Sequence, residues 1–163
     1  MRSLILLCIS LIVFSSAFAQ DHKHASPNVK LEDINGKKVQ LKNWFGKGPV
    51  IISFWATWCM PCQEELAEYQ KLYNEYKERG VQMLAISIDD EKSAAKVKPF
   101  VKSRNYSFTI LLDSNSDAAH EFYVHDVPNT FLLDKKGNIV FSHHSYKRGD
   151  ELELKKNIEE LLK

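Results

Sequence analysis

The stretch FWATWCMPCQEEL, residues 54–66, decides how this chain is read. An apolar run at residues 50–54 leads into it. Behind it Leu66, Tyr69, Leu72, Tyr73 and Tyr76 recur three or four apart, the period of one helix face. A strand therefore feeds a helix, and Cys59 and Cys62 stand at the join. The first turn of a helix has unpaired backbone N–H groups and the positive end of the dipole, and both favour a thiolate. Cys59, first in order and nearest the helix mouth, is the expected nucleophile, because the thiolate is the form that attacks disulfides. Cys62 is its neighbour at i+3 and is the expected resolving thiol. A ring this small removes little loop entropy from the unfolded chain, so the bond reads as one made to be exchanged. Pro61 suits a helix start, where its missing N–H is not needed.

Other uses of such a pair fare worse. A zinc half-site needs two further ligands at suitable spacing, and the chain has no second CxxC. Haem attachment through CxxCH fails because Gln63 occupies the histidine position. His22 and His24 lie in a polar tail, and His120, His125, His143 and His144 have no visible partner set. Solvated or packed histidines are the expectation, with no metal and no cofactor beyond the Cys59–Cys62 disulfide itself.

With these residues in view, the sequence resembles the thioredoxin-like superfamily, and within it the TlpA/ResA branch of exported thiol-disulfide oxidoreductases. FWATWCMPC is similar to that branch's active-site signature, with Trp58 before the first cysteine and Pro61 before the second. The resemblance covers most of the chain beyond its leader. It implies a cis proline at Pro128 beside the cysteines, and at Val127 backbone groups that bind an extended client segment by strand addition. It implies that Trp58 lies near the surface, with Met60 and Pro61 also at the client face, and that Trp55 is buried. Thioredoxins keep an Asp six residues before the first cysteine as a proton relay; here that place is Ser53. The branch instead carries a Glu three residues after the second cysteine, matched by Glu65, which would take the proton of Cys62 if burial raised its pKa. The plainer reading is that Glu64 and Glu65 complement the helix N-terminus. Asn129 departs from the commoner Thr.

The chain has 163 residues, enough for one domain with a real core. Residues 1–19 read as a secretory signal: Arg2, an apolar run at 4–14, then Ala17-Phe18-Ala19 as an A-x-A site with cleavage before Gln20. The apolar run is about half of the roughly 20 residues a spanning helix needs, an uncleaved anchor being the alternative. Cys8 sits in this run and is discarded with it. Removing the leader leaves 21 basic against 21 acidic residues, a neutrality that gives no support for a nucleic-acid or anionic-membrane footprint. Residues 20–28 are a flexible leading segment, and 29–163 the domain.

The expected fold is α/β and thioredoxin-like, a central mixed sheet flanked by helices, with an N-terminal β-hairpin and a helix–strand insertion. The hairpin runs over 29–31 and 38–41 around Asn35-Gly36. The central strand is 50–54, and the long helix, 61–79, stops at Gly80. The next strand, 82–88, calls for a right-handed parallel crossover. A helical stretch at 91–104, bent near Pro99, and a strand at 107–112 form the insertion. A helix at 115–124, a hairpin of 129–133 and 139–143, and a closing helix at 150–162 complete the chain.

The function expected is that of an extracytoplasmic thiol-disulfide oxidoreductase. Pro61 leans it toward the reducing members, and it would be a monomer. The resemblance implies clients that carry disulfides, apocytochrome c among them, and a membrane thiol electron donor. Two alternatives stand beside it. One is a thiol peroxidase of the peroxiredoxin kind, whose pattern puts Thr three residues before the reactive cysteine, where this chain has Ala56 and places Thr57 one later. The other is a non-catalytic binding module using the edge near Pro128.

Overall fold

The computed structural model describes residues 28–163. The leader at 1–19, with Cys8, and the leading segment as far as residue 27, with His22 and His24, lie outside the described residues. Seven strands and four helices follow in the order β1 (Lys30–Asp33), β2 (Lys38–Gln40), β3 (Val50–Trp55), α1 (Met60–Tyr76), β4 (Gln82–Ser87), α2 (Val97–Arg104), β5 (Thr109–Leu112), α3 (Asp117–Glu121), β6 (Asn129–Leu133), β7 (Ile139–His144) and α4 (Glu151–Leu161). They form one sheet ordered β2-β1-β5-β4-β3-β6-β7. β3, β4 and β5 run parallel, and the other pairings are antiparallel.

β3 is buried along its whole length, which is why its sequence is continuously apolar rather than alternating. The alternation reappears in what each side chain meets. Ile51 and Trp55 join the core under α1 and α4, with Leu66, Tyr69, Leu154 and Ile158. Val50, Ile52 and Phe54 join the opposite core, with Ala118, Ala119, Phe122 and Phe131. The aromatic part of that second core packs edge-on and tilted: Phe54 lies 5.4 Å from Phe122 and 6.1 Å from Phe131. α1 continues as a 3-10 turn over Lys77–Arg79 and ends at Gly80, whose φ of 92° is the left-handed cap that glycine adopts without strain.

Gly48 has a different reason for being glycine. A Cβ there would lie 2.2 Å from the Gly80 carbonyl oxygen, where the loops leading into β3 and β4 touch. Neither backbone has a flexible end that can give way. Gly48→Ala is therefore expected to lower the unfolding free energy by about 2 kcal/mol or more, read as a lowered midpoint in urea denaturation.

Three elements differ most from the sequence expectation, and β5 also starts two residues later than expected, at Thr109. The stretch 91–104 is not one bent helix, because a 3-10 turn at Ala94–Lys96 precedes α2 and Pro99 falls in the first turn of α2, where no N–H is required. The helix expected over 115–124 is only α3. Ser116 and Tyr123 have φ of 60° and 55°, and these positive values bound the helical stretch. The Asp113 carboxylate holds its start by accepting the N–H groups of Ala118 and Ala119 at 3.0 and 2.8 Å. The front hairpin is displaced toward its turn: β1 runs through Asp33, whose Oδ1 accepts the N–H groups of Asn35 and Lys37 at 2.8 and 3.0 Å. β1 also pairs with β5, which joins the hairpin to the main sheet.

Candidate active site

The reactive residues gather where β3 ends. Cys59 is the N-cap of α1, in extended conformation at φ −91° and ψ 102°, and its Sγ accepts the N–H of Cys62 at 3.2 Å. Met60 and Pro61 occupy the first two helical positions, so proline falls where its missing N–H costs nothing. Cys59 and Cys62 form a disulfide with Cα atoms 5.3 Å apart. Cys62 is sealed from solvent, whereas Cys59 keeps 5 % exposure. Of the two sulfur-bearing residues, Cys59 is the one open to solvent.

Antiparallel pairing of β6 against β3 brings the second loop into the site. Phe54 stands opposite Asn129, so the residues just before β6 lie beside those just after β3. The Val127–Pro128 peptide is cis. The Val127 carbonyl oxygen is 3.7 Å from Cys59 Sγ, a position that faces the reacting sulfur. The Pro128 carbonyl accepts the N–H of Ser145, which ties the loop to the end of β7. Trp58 and Met60 are 64 % and 65 % exposed, two large apolar side chains presented to solvent on either side of Cys59, whereas Trp55 is buried. Exposure of this kind beside a reactive group is typical of a contact surface.

Glu65 lies one turn beyond Cys62 on the same helix face and is fully buried. Neither Glu64 nor Glu65 falls in the first turn of α1, where the plainer reading of the two as a complement to the helix N-terminus would place them. The Oε2 of Glu65 accepts Ser53 Oγ at 2.9 Å and its Oε1 accepts Thr130 Oγ1 at 3.1 Å. Ser53 and Thr130 are direct cross-strand partners of β3 and β6, so the sheet presents two adjacent hydroxyls to one carboxylate. Burial raises the Glu65 pKa to about 7; the Ser53, Thr130 and Tyr69 hydroxyls pull it down, and Asp150 adds a small upward push. Ser53, which stands where thioredoxins carry Asp, is thus a donor to the carboxylate that α1 supplies.

Two site residues escaped the sequence reading. Asp89, 1 % exposed, accepts the N–H of Thr57 at 2.8 Å and the Thr57 hydroxyl at 2.5 Å, and so holds the loop before Cys59. Thr130 went unremarked as well. The available signal was a lone hydroxyl inside an otherwise apolar strand, FLL following Asn129-Thr130, since such a group needs a buried partner. His143 pairs with Asp150 at 3.0 Å and stacks on Phe141, while His120, His125 and His144 are exposed. Among the described residues no group of three or more His, Cys, Asp or Glu is placed to hold a metal ion, and no helix is long and apolar enough to cross a membrane.

Residues 23–142 match the AhpC/TSA family, most of the chain and all of the site. The chain belongs to the AhpC/TSA family. It is 34 % identical over 143 residues to the thiol-disulfide oxidoreductase ResA of Bacillus thuringiensis subsp. konkukian, an alignment that covers 84 % of this chain and 81 % of that one. Among solved structures it is similar to a thioredoxin-like protein of Porphyromonas gingivalis, with 39 % identity, a TM-score of 0.74 and coverage of 85 % and 93 %. It is also similar to StoA of Bacillus subtilis, with 27 % identity, a TM-score of 0.66 and coverage of 81 % and 98 %. The fold is thioredoxin-like, and the protein is an enzyme of the thiol-disulfide oxidoreductase class.

Proposed function

We propose that this protein is an exported reductase of protein disulfides, working through Cys59 and Cys62 in a compartment outside the cytoplasm. The observation that carries the reading is the N-cap placement of Cys59: its sulfur accepts a helix-terminal N–H, keeps a solvent path and faces the cis-proline loop. A thiolate there is stabilised by the hydrogen bond and by the dipole.

The reaction balances without any bound group. The Cys59 thiolate attacks one sulfur of a client disulfide; a Cys59–client disulfide forms and the client's other sulfur leaves as a thiolate. Glu65 accepts the proton of Cys62, and the Cys62 thiolate attacks Cys59, closing the internal disulfide and releasing the second client thiol. Two electrons have then passed to the client. A thiol donor, reached from the membrane, must return them. Val127 and Pro128 hold the client backbone, and Trp58, Met60 and Pro61 form the apolar contact around it. The leader at 1–19, with cleavage near Ala19, supports export, and Pro61 supports the reducing direction. Apocytochrome c before haem attachment is the client class we propose, with the enzyme acting as a monomer.

Trapping tests the reading. A Cys62→Ala variant keeps the nucleophile and lacks the resolving thiol, so it is expected to accumulate Cys59-linked mixed disulfides that mass spectrometry identifies and dithiothreitol releases. Absence of such adducts from cells in which the wild-type protein cycles between oxidised and reduced forms would sink it. Consumption of peroxide in place of an insulin-type disulfide would transfer the assignment to a thiol peroxidase.

A further inference from the structure

The loop that carries Cys59 is held by side chains that lie outside it, from α1 and from the segment after β4. Between the end of β3 and the start of α1, Thr57 has every polar group engaged. Its N–H and hydroxyl donate to the two oxygens of Asp89, and its carbonyl accepts Gln63 Nε2 at 3.0 Å. Gln63 in turn accepts Arg104 Nη2 at 3.2 Å, at the last residue of α2. Asp89 is itself oriented: Ser87 Oγ donates to its Oδ2 at 2.8 Å and accepts the Asp89 N–H at 3.1 Å. Asp89 thus grips Thr57 directly, and Arg104 reaches it only through the side chain of Gln63 on α1.

The reason this matters is geometric. Cys59 Sγ gains from the helix terminus only while it points at the Cys62 N–H, a single 3.2 Å contact. Thr57 lies two residues before that sulfur, outside the sheet ladder, in a turn closed by the Cys59 N–H donating to the Ala56 carbonyl at 3.1 Å; its bonds to Asp89 and Gln63 fix how that turn sits against the rest of the fold. Hydrogen bonds accepted by a buried carboxylate are shorter and stronger than neutral ones, and losing one leaves a buried oxygen unsatisfied. Such bonds are suited to holding a short loop in one conformation.

We propose that Asp89 and Thr57 form a positioning clamp that keeps Cys59 Sγ aligned with the N-terminus of α1, and that this clamp sets both the stability of the thiolate and the reduction potential of the pair. The proposal rests on the redox reading of Cys59. Both residues act through the cysteine.

Charge and position predict opposite signs here, which makes the test decisive. The buried Asp89 carboxylate repels a nearby thiolate, so if its charge dominates, Asp89→Asn makes Cys59 more acidic and Thr57→Val changes nothing. If positioning dominates, both substitutions loosen the loop and make Cys59 less acidic. The readouts are the pH dependence of iodoacetamide alkylation of the reduced protein, which reports Cys59 because Cys62 is sealed, and the redox equilibrium with glutathione. Positioning predicts that both variants shift the alkylation midpoint upward by about one pH unit, a tenfold change in thiolate stability. The redox equilibrium shifts tenfold against the reduced form, about 30 mV for the two-electron couple. Thr57→Ser, which retains the hydroxyl, stays at the wild-type values. A downward shift in Asp89→Asn, or a Thr57→Val protein that unfolds more easily while its midpoint and potential stay put, overturns the clamp. If the wild-type protein fails to exchange with glutathione at all, the redox reading fails instead, so the two failures are distinct.

Discussion

Cys59→Ser is expected to lower disulfide reductase activity by about a thousandfold or more, the scale on which removal of a nucleophile acts. Oxygen in place of sulfur does not ionise near neutral pH and forms no mixed disulfide, so the first step is lost rather than slowed. The effect on stability separates the redox states. Against the oxidised wild-type protein, the variant lacks a cross-link that closes a very short loop, and about 2 kcal/mol is the expected deficit. Against the reduced wild-type protein the difference is small, since Cys59 is a cap whose sulfur is replaced by another good capping atom. An insulin-type reduction assay together with urea denaturation in both redox states measures the two effects. Retained activity in the serine variant would remove Cys59 from the mechanism and favour the binding-module reading.

Glu65→Gln is expected to have opposite effects on activity and on stability. In the proposed mechanism Glu65 accepts the proton of Cys62, a contribution on the scale of general-base catalysis, so without it release of the mixed disulfide slows by about a hundredfold and the limb of the pH–rate profile near neutrality disappears. Stability moves the other way. Burial raises the folded-state pKa of Glu65 to about 7 from an ordinary value of 4.5. Below the unfolded value the group is protonated in both states and costs nothing. Between the two values the unfolded chain ionises while the folded one holds its proton, and the folded state loses ground as pH rises. The loss is complete above about pH 7 and amounts to about 3 kcal/mol, of which glutamine incurs none. The variant is therefore expected to match the wild-type protein near pH 4 and to be more stable at pH 8, apart from the difference in its bonds to Ser53 and Thr130. Denaturation series at the two pH values check it. A gap that closes with rising pH would show that Glu65 is ionised and favourably paired in the folded protein.

How much of this was legible from residue order depends on the separation of the partners. Strand, cysteine pair and helix are contiguous, so the 50–54 run, the 3–4 spacing after Cys62 and the Gly80 stop reveal β3 and α1 nearly to the residue. α3 was overextended, because the residues that bound it, Ser116 and Tyr123, carry no helix-breaking chemistry of their own, and the Asp113 carboxylate that caps it stands outside the helix. Pro99 misled for a related reason: a proline breaks a helix or begins one according to which turn it occupies, and its identity is the same in both. Thr57 and Asp89 are 32 positions apart, and neither hydrophobic period nor motif links them.

By itself the sequence determined the order of elements and the cysteine pair at a strand–helix junction, because each depends on neighbours within about one helical turn. The tertiary structure decided what surrounds that pair. The pairing of β6 with β3 set the Val127 carbonyl against Cys59 and turned Ser53 and Thr130 toward one carboxylate. The packing of α1 on the sheet buried Glu65 and moved its pKa toward 7. Register and burial are properties of the assembled sheet: moving a strand by one residue would turn each of these side chains to the other face while leaving the sequence unchanged.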